Sequence, residues 1–156
     1  MAAFPDVDME AVMLASMAYQ CGAGFMDMMN AHFSRYGISQ GRFGILLMLH
    51  LDEETQWTPA ELAEQGNISR ATMTGLLDGL EKQGYLSRSP HREDRRRITI
   101  ELSSAGRKFV KAMLPDHYKR LAAAMSSLTP HERKTILRIL PRLMECFAAL
   151  SDPSDS

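Results

Sequence analysis

Five arginines lie within a ten-residue stretch of this 156-residue chain, opposed there only by Glu93 and Asp94. They are Arg88, Arg92, Arg95, Arg96 and Arg97. Guanidinium groups form paired hydrogen bonds with phosphate, so this arginine cluster is a candidate phosphate-contacting site. The alternative is a solvated charged loop, which is the usual role of a short charge run.

A second candidate surface is predicted on a helix that begins after Ser69. Met73, Leu76, Leu77 and Leu80 follow i, i+3, i+4, i+7 spacing and form its apolar side. The other sides carry small, hydroxyl-bearing and basic residues: Ser69, Arg70, Ala71, Thr72, Thr74 and Gly75. Small residues allow close approach to a groove, hydroxyls bond phosphates or base edges, and arginine can form two hydrogen bonds with guanine. A plain surface helix with few good helix formers is the alternative.

Local signals place this helix in a helix-turn-helix. The sequence Thr58-Pro59-Ala60-Glu61 is a capping box with proline at the first helical position, and Gly66-Asn67 ends that helix before Ser69 caps the next. Residues 85–88 and 98–102 alternate like short strands and flank the arginine cluster, which predicts a hairpin with a basic tip, the wing. Asp94 is placed to orient the Arg96 guanidinium; the alternative is a surface ion pair worth about 0–1 kcal/mol.

The remaining elements are long helices. Between residues 8 and 36 an apolar residue recurs every four positions, which drifts around a helix and gives a broad apolar face that a partner chain would cover. Further helices are predicted from Ser103 to about Ser127 and from Thr129 to about Leu150. The predicted fold is mainly α with a small β-hairpin wing, in one domain over residues 1–156. A winged helix-turn-helix head spans 40–102, and dimerisation helices span 8–36 and 103–150.

Composition excludes several classes of protein. Hydrophobic residues make up 45% and charged residues 24% of the chain, an ordinary globular balance, and the net charge is −1. No apolar run approaches the roughly 20 residues of a membrane span, and no basic residue precedes Arg35, so a cytoplasmic location is expected. The histidines and two cysteines show no metal-ligand spacing, and no catalytic motif is present. We expect no metal, no cofactor and no enzymatic activity.

Several motifs together closely resemble the MarR (multiple-antibiotic-resistance regulator) family, over nearly the whole chain. They are Leu62-Ala63, Ser69-Arg70-Ala71-Thr72, Leu76-Leu77-Asp78, Leu80-Glu81, Gly84-Tyr85-Leu86, Asp94-Arg95-Arg96-Arg97-Ile98 and Leu102-Ser103-Ser104-Ala105-Gly106. The Asp-x-Arg wing followed by a Leu-[Thr/Ser]-x-x-Gly sequence is fairly specific to that family. Two departures are Ser103, where threonine is usual, and Gly79, where relatives often carry a basic residue and one phosphate contact is therefore expected to be lost.

The resemblance implies a transcription regulator, usually a repressor, that binds a palindromic operator in double-stranded DNA as a homodimer. The residues from Ser69 to Thr74 match the family's reading positions in the major groove, and Asp94 and Arg96 match its wing pair, whose arginine enters the minor groove. Relatives often release DNA when a small aromatic or phenolic effector binds. Others respond to thiol oxidation, for which Cys21 is the candidate here, although Ala15 occupies the usual place of the sensing cysteine.

Two other classes of protein have less support in the sequence. An enzyme has no supporting motif. A winged-helix protein-interaction module that has lost its DNA site would have no reason to keep both the arginine cluster and the hydroxyl-rich helix face.

Overall fold

The computed structural model describes residues 6–91, 94 and 96–149, and the structural statements below concern those residues. Its eight elements are, in chain order, α1 (Met9–Ser34), α2 (Gln40–Leu51), α3 (Pro59–Gln65), α4 (Arg70–Lys82), β1 (Leu86–Pro90), β2 (Ile98–Leu102), α5 (Ser104–Ala124) and α6 (Pro130–Ala149). The mainly helical fold with one hairpin is as predicted. The chain divides into two compact units, Met1–Met113 and Leu114–Ser156, and the boundary falls within α5, next to Pro115.

The two helices of the predicted helix-turn-helix are fixed by their caps. At the start of α3 the Thr58 main-chain N–H donates to Glu61 Oε2 at 2.8 Å, and the Glu61 N–H donates to Thr58 Oγ1 at 3.4 Å, which closes the predicted capping box. Ser69 Oγ caps α4 by accepting from the Thr72 N–H at 3.1 Å. Between the helices Asn67 has φ 48°, a left-handed conformation that asparagine tolerates and that allows the tight turn.

The hairpin is antiparallel, with Leu86 opposite Leu102 at its base and Pro90 opposite Ile98 towards its tip. The first strand was predicted over 85–88 and runs instead from Leu86 to Pro90, because pairing continues along the whole of β2. The Ile100 N–H donates to the Trp57 carbonyl at 2.8 Å. The segment that leads into α3 is therefore bonded to the outer edge of the wing.

The core of the first unit joins the helix-turn-helix to the base of the hairpin. Its fully buried side chains include Leu46, Leu62, Leu77, Leu80 and Ile100. Gly106 of α5 lies so close to the hairpin base that an added Cβ would overlap the Tyr85 carbonyl oxygen, and the Tyr85 and Phe109 rings stack at 4.7 Å. The glycine of the Leu-Ser-x-x-Gly sequence is therefore a close-packing residue.

The second unit, as far as it is described, buries little apolar surface of its own. Thr129 and Glu132 form the predicted capping box at the start of α6, with the Thr129 N–H donating to Glu132 Oε2 at 2.7 Å. No residue of α6 is buried. Large apolar side chains are exposed along it: Ile136, Leu137, Ile139, Leu140, Met144 and Phe147.

Helix α1, in the first unit, changes character along its length. Met29 and Phe33 near its end are buried, whereas Met9, Met13 and Met17 near its start are more than half exposed. Within the described parts of the chain, no helix combines the length and apolar character that crossing a membrane requires.

Candidate nucleic-acid interface

Helix α4 presents the predicted polar face to solvent. Met73, Leu77 and Leu80 are at most 1% exposed, and Leu76 is half-buried. Every residue that the sequence assigned to this face is exposed: Ser69, Arg70, Ala71, Thr72, Thr74 and Gly75. The apolar spacing fixed the rotation of the helix because its apolar side packs into the core.

The hydroxyl groups of this face are already partly bonded within α4. Ser69 Oγ accepts the Thr72 N–H and lies 2.8 Å from Thr72 Oγ1, so its first role is that of a helix cap. Thr74 Oγ1 donates to the Arg70 carbonyl at 2.9 Å. The Thr74 hydroxyl keeps its lone pairs free as acceptors, while its proton is directed along the helix.

At the wing tip, Asp94 shapes the main chain. Its Oδ1 accepts the main-chain N–H of Arg96 at 3.0 Å, and its carbonyl accepts the N–H of Arg97 at 2.9 Å. The sequence predicted instead that the carboxylate would hold the Arg96 guanidinium. That contact is not made, because an aspartate two residues upstream is better placed to close an Asx turn. Asp94 thus fixes the turn from which Arg96 projects.

The arginine cluster divides into residues with different roles. Arg96 is exposed and has no carboxylate partner among the described residues. Arg92 and Arg95 lie outside the described residues. Arg97 donates from Nη2 to Glu61 Oε1 at 2.7 Å and also lines the cleft described below, so its predicted DNA contact stays a prediction.

Glu61 was singled out in the sequence only as a cap, and its second bond was not foreseen. Hydrogen bonds from the Thr58 main chain and side chain, followed by the hydrogen bond and charge of Arg97, lower the pKa of Glu61 below its ordinary value of 4.5. The carboxylate is therefore ionised at neutral pH. Through Arg97 it connects the start of α3 to the residue that precedes β2 in the wing.

Arg88, on β1, forms a second set of ion pairs between the wing and the helix-turn-helix. Its Nη2 contacts Asp78 Oδ1 at 2.5 Å, and its Nε lies 3.4 Å from Glu81 Oε2. Both carboxylates belong to α4. The strand β1 is thereby tied to α4, whose exposed residues between Ser69 and Gly75 we name the reading face.

The reading face and the wing open onto one cleft. Arg70 and Thr74 of α4 line it together with Arg96, Arg97 and Ile98 of the wing, and its floor is residues 58–60 at the start of α3. The two features found separately in the sequence therefore lie side by side. A rigid polyanion that entered this cleft would meet the exposed guanidinium of Arg96 and the side of α4 at once.

Other candidate sites gain no support from the geometry. Cys21 and Cys146 are both free and exposed, with no other cysteine beside either. In the described part of the chain no three His, Cys, Asp or Glu residues come together as a metal site would require.

Comparison with known proteins agrees with this geometry. The model of the MarR family matches residues 38–98. The HTH-type transcriptional repressor YetL of Bacillus subtilis is 36% identical over 124 residues, which span 80% of this chain and 74% of YetL. The HTH-type transcriptional regulator PapX of Escherichia coli is 31% identical over 116 residues, 74% of this chain and 71% of PapX.

Solved structures show the same fold. The Staphylococcus aureus MepR–DNA complex superposes with a TM-score of 0.75 at 20% identity, covering 84% of this chain and 96% of MepR. A cysteine-to-serine mutant of E. coli MarR complexed with operator DNA gives 0.74 at 19% identity, covering 92% of this chain and 99% of MarR. The chain belongs to the MarR family. It is a transcription regulator of that type, and members of the family are not enzymes.

Proposed function

We propose that this protein represses transcription by binding double-stranded DNA, with α4 in the major groove and the wing in the adjacent minor groove. The observation that carries the proposal is the shared cleft, lined by Arg70 and Thr74 on one side and Arg96 on the other. Winged helix-turn-helix proteins use a helix and a hairpin in this way because neighbouring grooves follow one another on the same face of the duplex.

The chemistry of the two surfaces suits the two grooves. Ala71 and Gly75 are exposed and small, so the α4 backbone can approach base edges closely, and Arg70 can pair with guanine. Arg96 projects from the turn fixed by Asp94, and a narrow minor groove attracts an unpaired guanidinium through its enhanced negative potential. The other contacts predicted from the sequence, at Arg92, Arg95 and Arg97, remain proposals, and Arg97 is also paired with Glu61.

The active species is proposed to be a homodimer. Helix α6 exposes six large apolar side chains and the first half of α1 exposes several methionines, more apolar surface than elements of a monomer ordinarily leave in water. A second copy of the chain would cover them, with 8–36 and 103–150 as the dimerisation helices and 40–102 as the head. A two-fold dimer then reads a palindromic operator with half-sites about 10 base pairs apart.

Repression is proposed from the relatives, since YetL and the E. coli protein MprA are both named transcriptional repressors. A small aromatic or phenolic effector that lowers DNA affinity is part of the proposal. The alternative is release by thiol oxidation, with Cys21 as the candidate thiol.

The test measures the binding of the 156-residue chain to duplex DNA by fluorescence anisotropy at increasing salt concentrations. We expect retention on heparin, binding to random duplex with a steep negative salt slope, and tighter binding to fragments selected from a genomic pool. A protein-interaction module without a DNA site would show neither retention nor a salt slope, and that result would overturn the proposal. Selected fragments that lack two-fold symmetry would overturn the dimeric reading mode alone.

A further inference from the structure

Arg42 of α2 lies flat against α4. A Cβ atom built on Gly79 would overlap the Nη2, Cζ and Nε atoms of the Arg42 guanidinium, so that group occupies the space a side chain at position 79 would take. Nearby, a Cβ on Gly41 would sit 3.4 Å from Leu76 Cδ1. The start of α2 therefore packs closely on α4, and the absence of a side chain at Gly79 allows the guanidinium to rest on the helix.

Arg42 and the wing lie on different flanks of α4. Gly79 lies five positions after Thr74, which at 3.6 residues per turn places them about 140° apart around the helix axis. Thr74 faces the cleft it shares with Arg96, whereas Gly79 faces Arg42. The exposed small residues Ala71 and Gly75 fall between these two directions. The reading face is thus bordered by an arginine on each side.

Arg42 also differs in its charge balance from three other arginines of the first unit. Arg88, Arg97 and Arg107 each form an ion pair, and Arg88 engages both described carboxylates of α4, Asp78 and Glu81. Arg42 has no carboxylate within ion-pair distance among the described residues. Arg42 is a half-buried residue whose guanidinium lies against the helix beneath it, so among the described residues it is a positioned cation without an anion.

We propose that Arg42 binds a DNA phosphate on the opposite side of the major groove from the wing. The inference rests on the proposed function, because a helix in the major groove lies between two sugar–phosphate backbones about 12 Å apart. The wing serves one flank of α4, and Arg42 is the cation on the other. It belongs to the first turn of α2, whose positive dipole end also favours a phosphate. Arg42 then offsets the phosphate contact expected to be lost at Gly79.

The test compares Arg42→Ala with the double variant Arg42→Ala/Gly79→Lys, which returns a cation to the same flank from α4 itself. Arg107→Gln, which removes an arginine paired with Glu53, is the charge-matched control. We expect Arg42→Ala to weaken binding to selected and random duplex alike, on the order of tenfold for each bound subunit. The slope of the logarithm of the binding constant against the logarithm of the salt concentration should become less steep by about 0.9 for each lost phosphate contact. The double variant should regain both, and the control should match the wild type.

The outcomes separate this inference from the proposed function. If the wild type binds duplex with a steep salt slope and Arg42→Ala matches it, the inference is wrong and the proposed function stands. A loss of affinity with an unchanged salt slope would mean that Arg42 only packs on α4, which also overturns the inference. If the wild type itself shows no salt-dependent binding, both fail. Circular dichroism melting curves of every variant show whether the fold is kept.

Discussion

Arg97 Nη2 lies 2.7 Å from Glu61 Oε1, and this ion pair joins the wing to the first helix of the helix-turn-helix across 36 residues of sequence. Both side chains are almost half exposed, so the pair itself contributes little free energy in water. Its effect is geometric. Together with the Arg88 contacts to α4, it connects the wing to both helices of the helix-turn-helix, at β1 and at the residue that precedes β2.

The pH dependence of stability should report the Glu61 cap. Because the folded-state pKa of Glu61 is lowered, its contribution is present above pH 4.5 and is lost as the pH falls below that value and the carboxylate takes up a proton. The wild type should therefore lose melting temperature more steeply below pH 4.5 than Glu61→Gln. Glu64→Gln, an exposed carboxylate on the same helix, is the control and should follow the wild type. Parallel curves for all three proteins would contradict the assignment.

Arg96→Ala tests the wing contact. Arg96 is exposed at the turn fixed by Asp94, and its removal leaves the core untouched. We expect weaker duplex binding and a salt slope reduced by about one for each bound subunit, with the oligomeric state unchanged. Filter-binding titrations in several salt concentrations give both quantities. An unaltered affinity would refute the assignment of the wing.

Thr74→Lys and Gly75→Leu test the reading face. Each places a long side chain on an exposed part of α4, where a Cβ at Gly75 meets nothing within 4 Å. Specific binding should be abolished because the helix can no longer approach the groove floor, while the melting temperature should not fall. Competition between selected and random duplex measures the first quantity, and a thermal melt measures the second. Loss of the fold would show that this face is not free.

Gly106→Ala should destabilise the protein. The added Cβ would overlap the Tyr85 carbonyl oxygen, which is main chain and cannot rotate away, so α5 or the hairpin base must shift. We expect a loss of about 1–3 kcal/mol in the free energy of unfolding, as for other overpacked sites. Gly44→Ala in α2 has open space and should gain up to about 1 kcal/mol from helix propensity. If urea titrations showed that both substitutions change the free energy of unfolding in the same direction, the packing argument would be contradicted.

Leu137→Glu tests the dimer. Leu137 is 71% exposed in the single chain, so a charge there costs little in a monomer but would be buried in an interface that covers α6. Sedimentation velocity should show a dimeric wild type. The dimer of the variant should dissociate at protein concentrations at which the wild-type dimer persists. A wild type that sediments as a monomer throughout would remove the basis for two-fold operator recognition.

Much of the secondary structure of this protein follows from short-range patterns in its sequence. The caps at Thr58, Ser69 and Thr129 and the four apolar positions of α4 fixed helix starts and rotation, since each involves residues within one or two turns of each other. The same reasoning located the hairpin, but not the full length of its first strand.

Only the tertiary structure decided which arginine does what. The sequence singled out Arg96 through its spacing from Asp94 but indicated no partner for Arg88 or Arg97. Packing gave both of those arginines carboxylate partners and left Arg96 without one among the described residues. Arg42 was not noticed because nothing near it in the sequence marks it. A guanidinium reaches several ångströms from its backbone, so its partner depends on which distant elements pack beside it, and no local spacing rule encodes that.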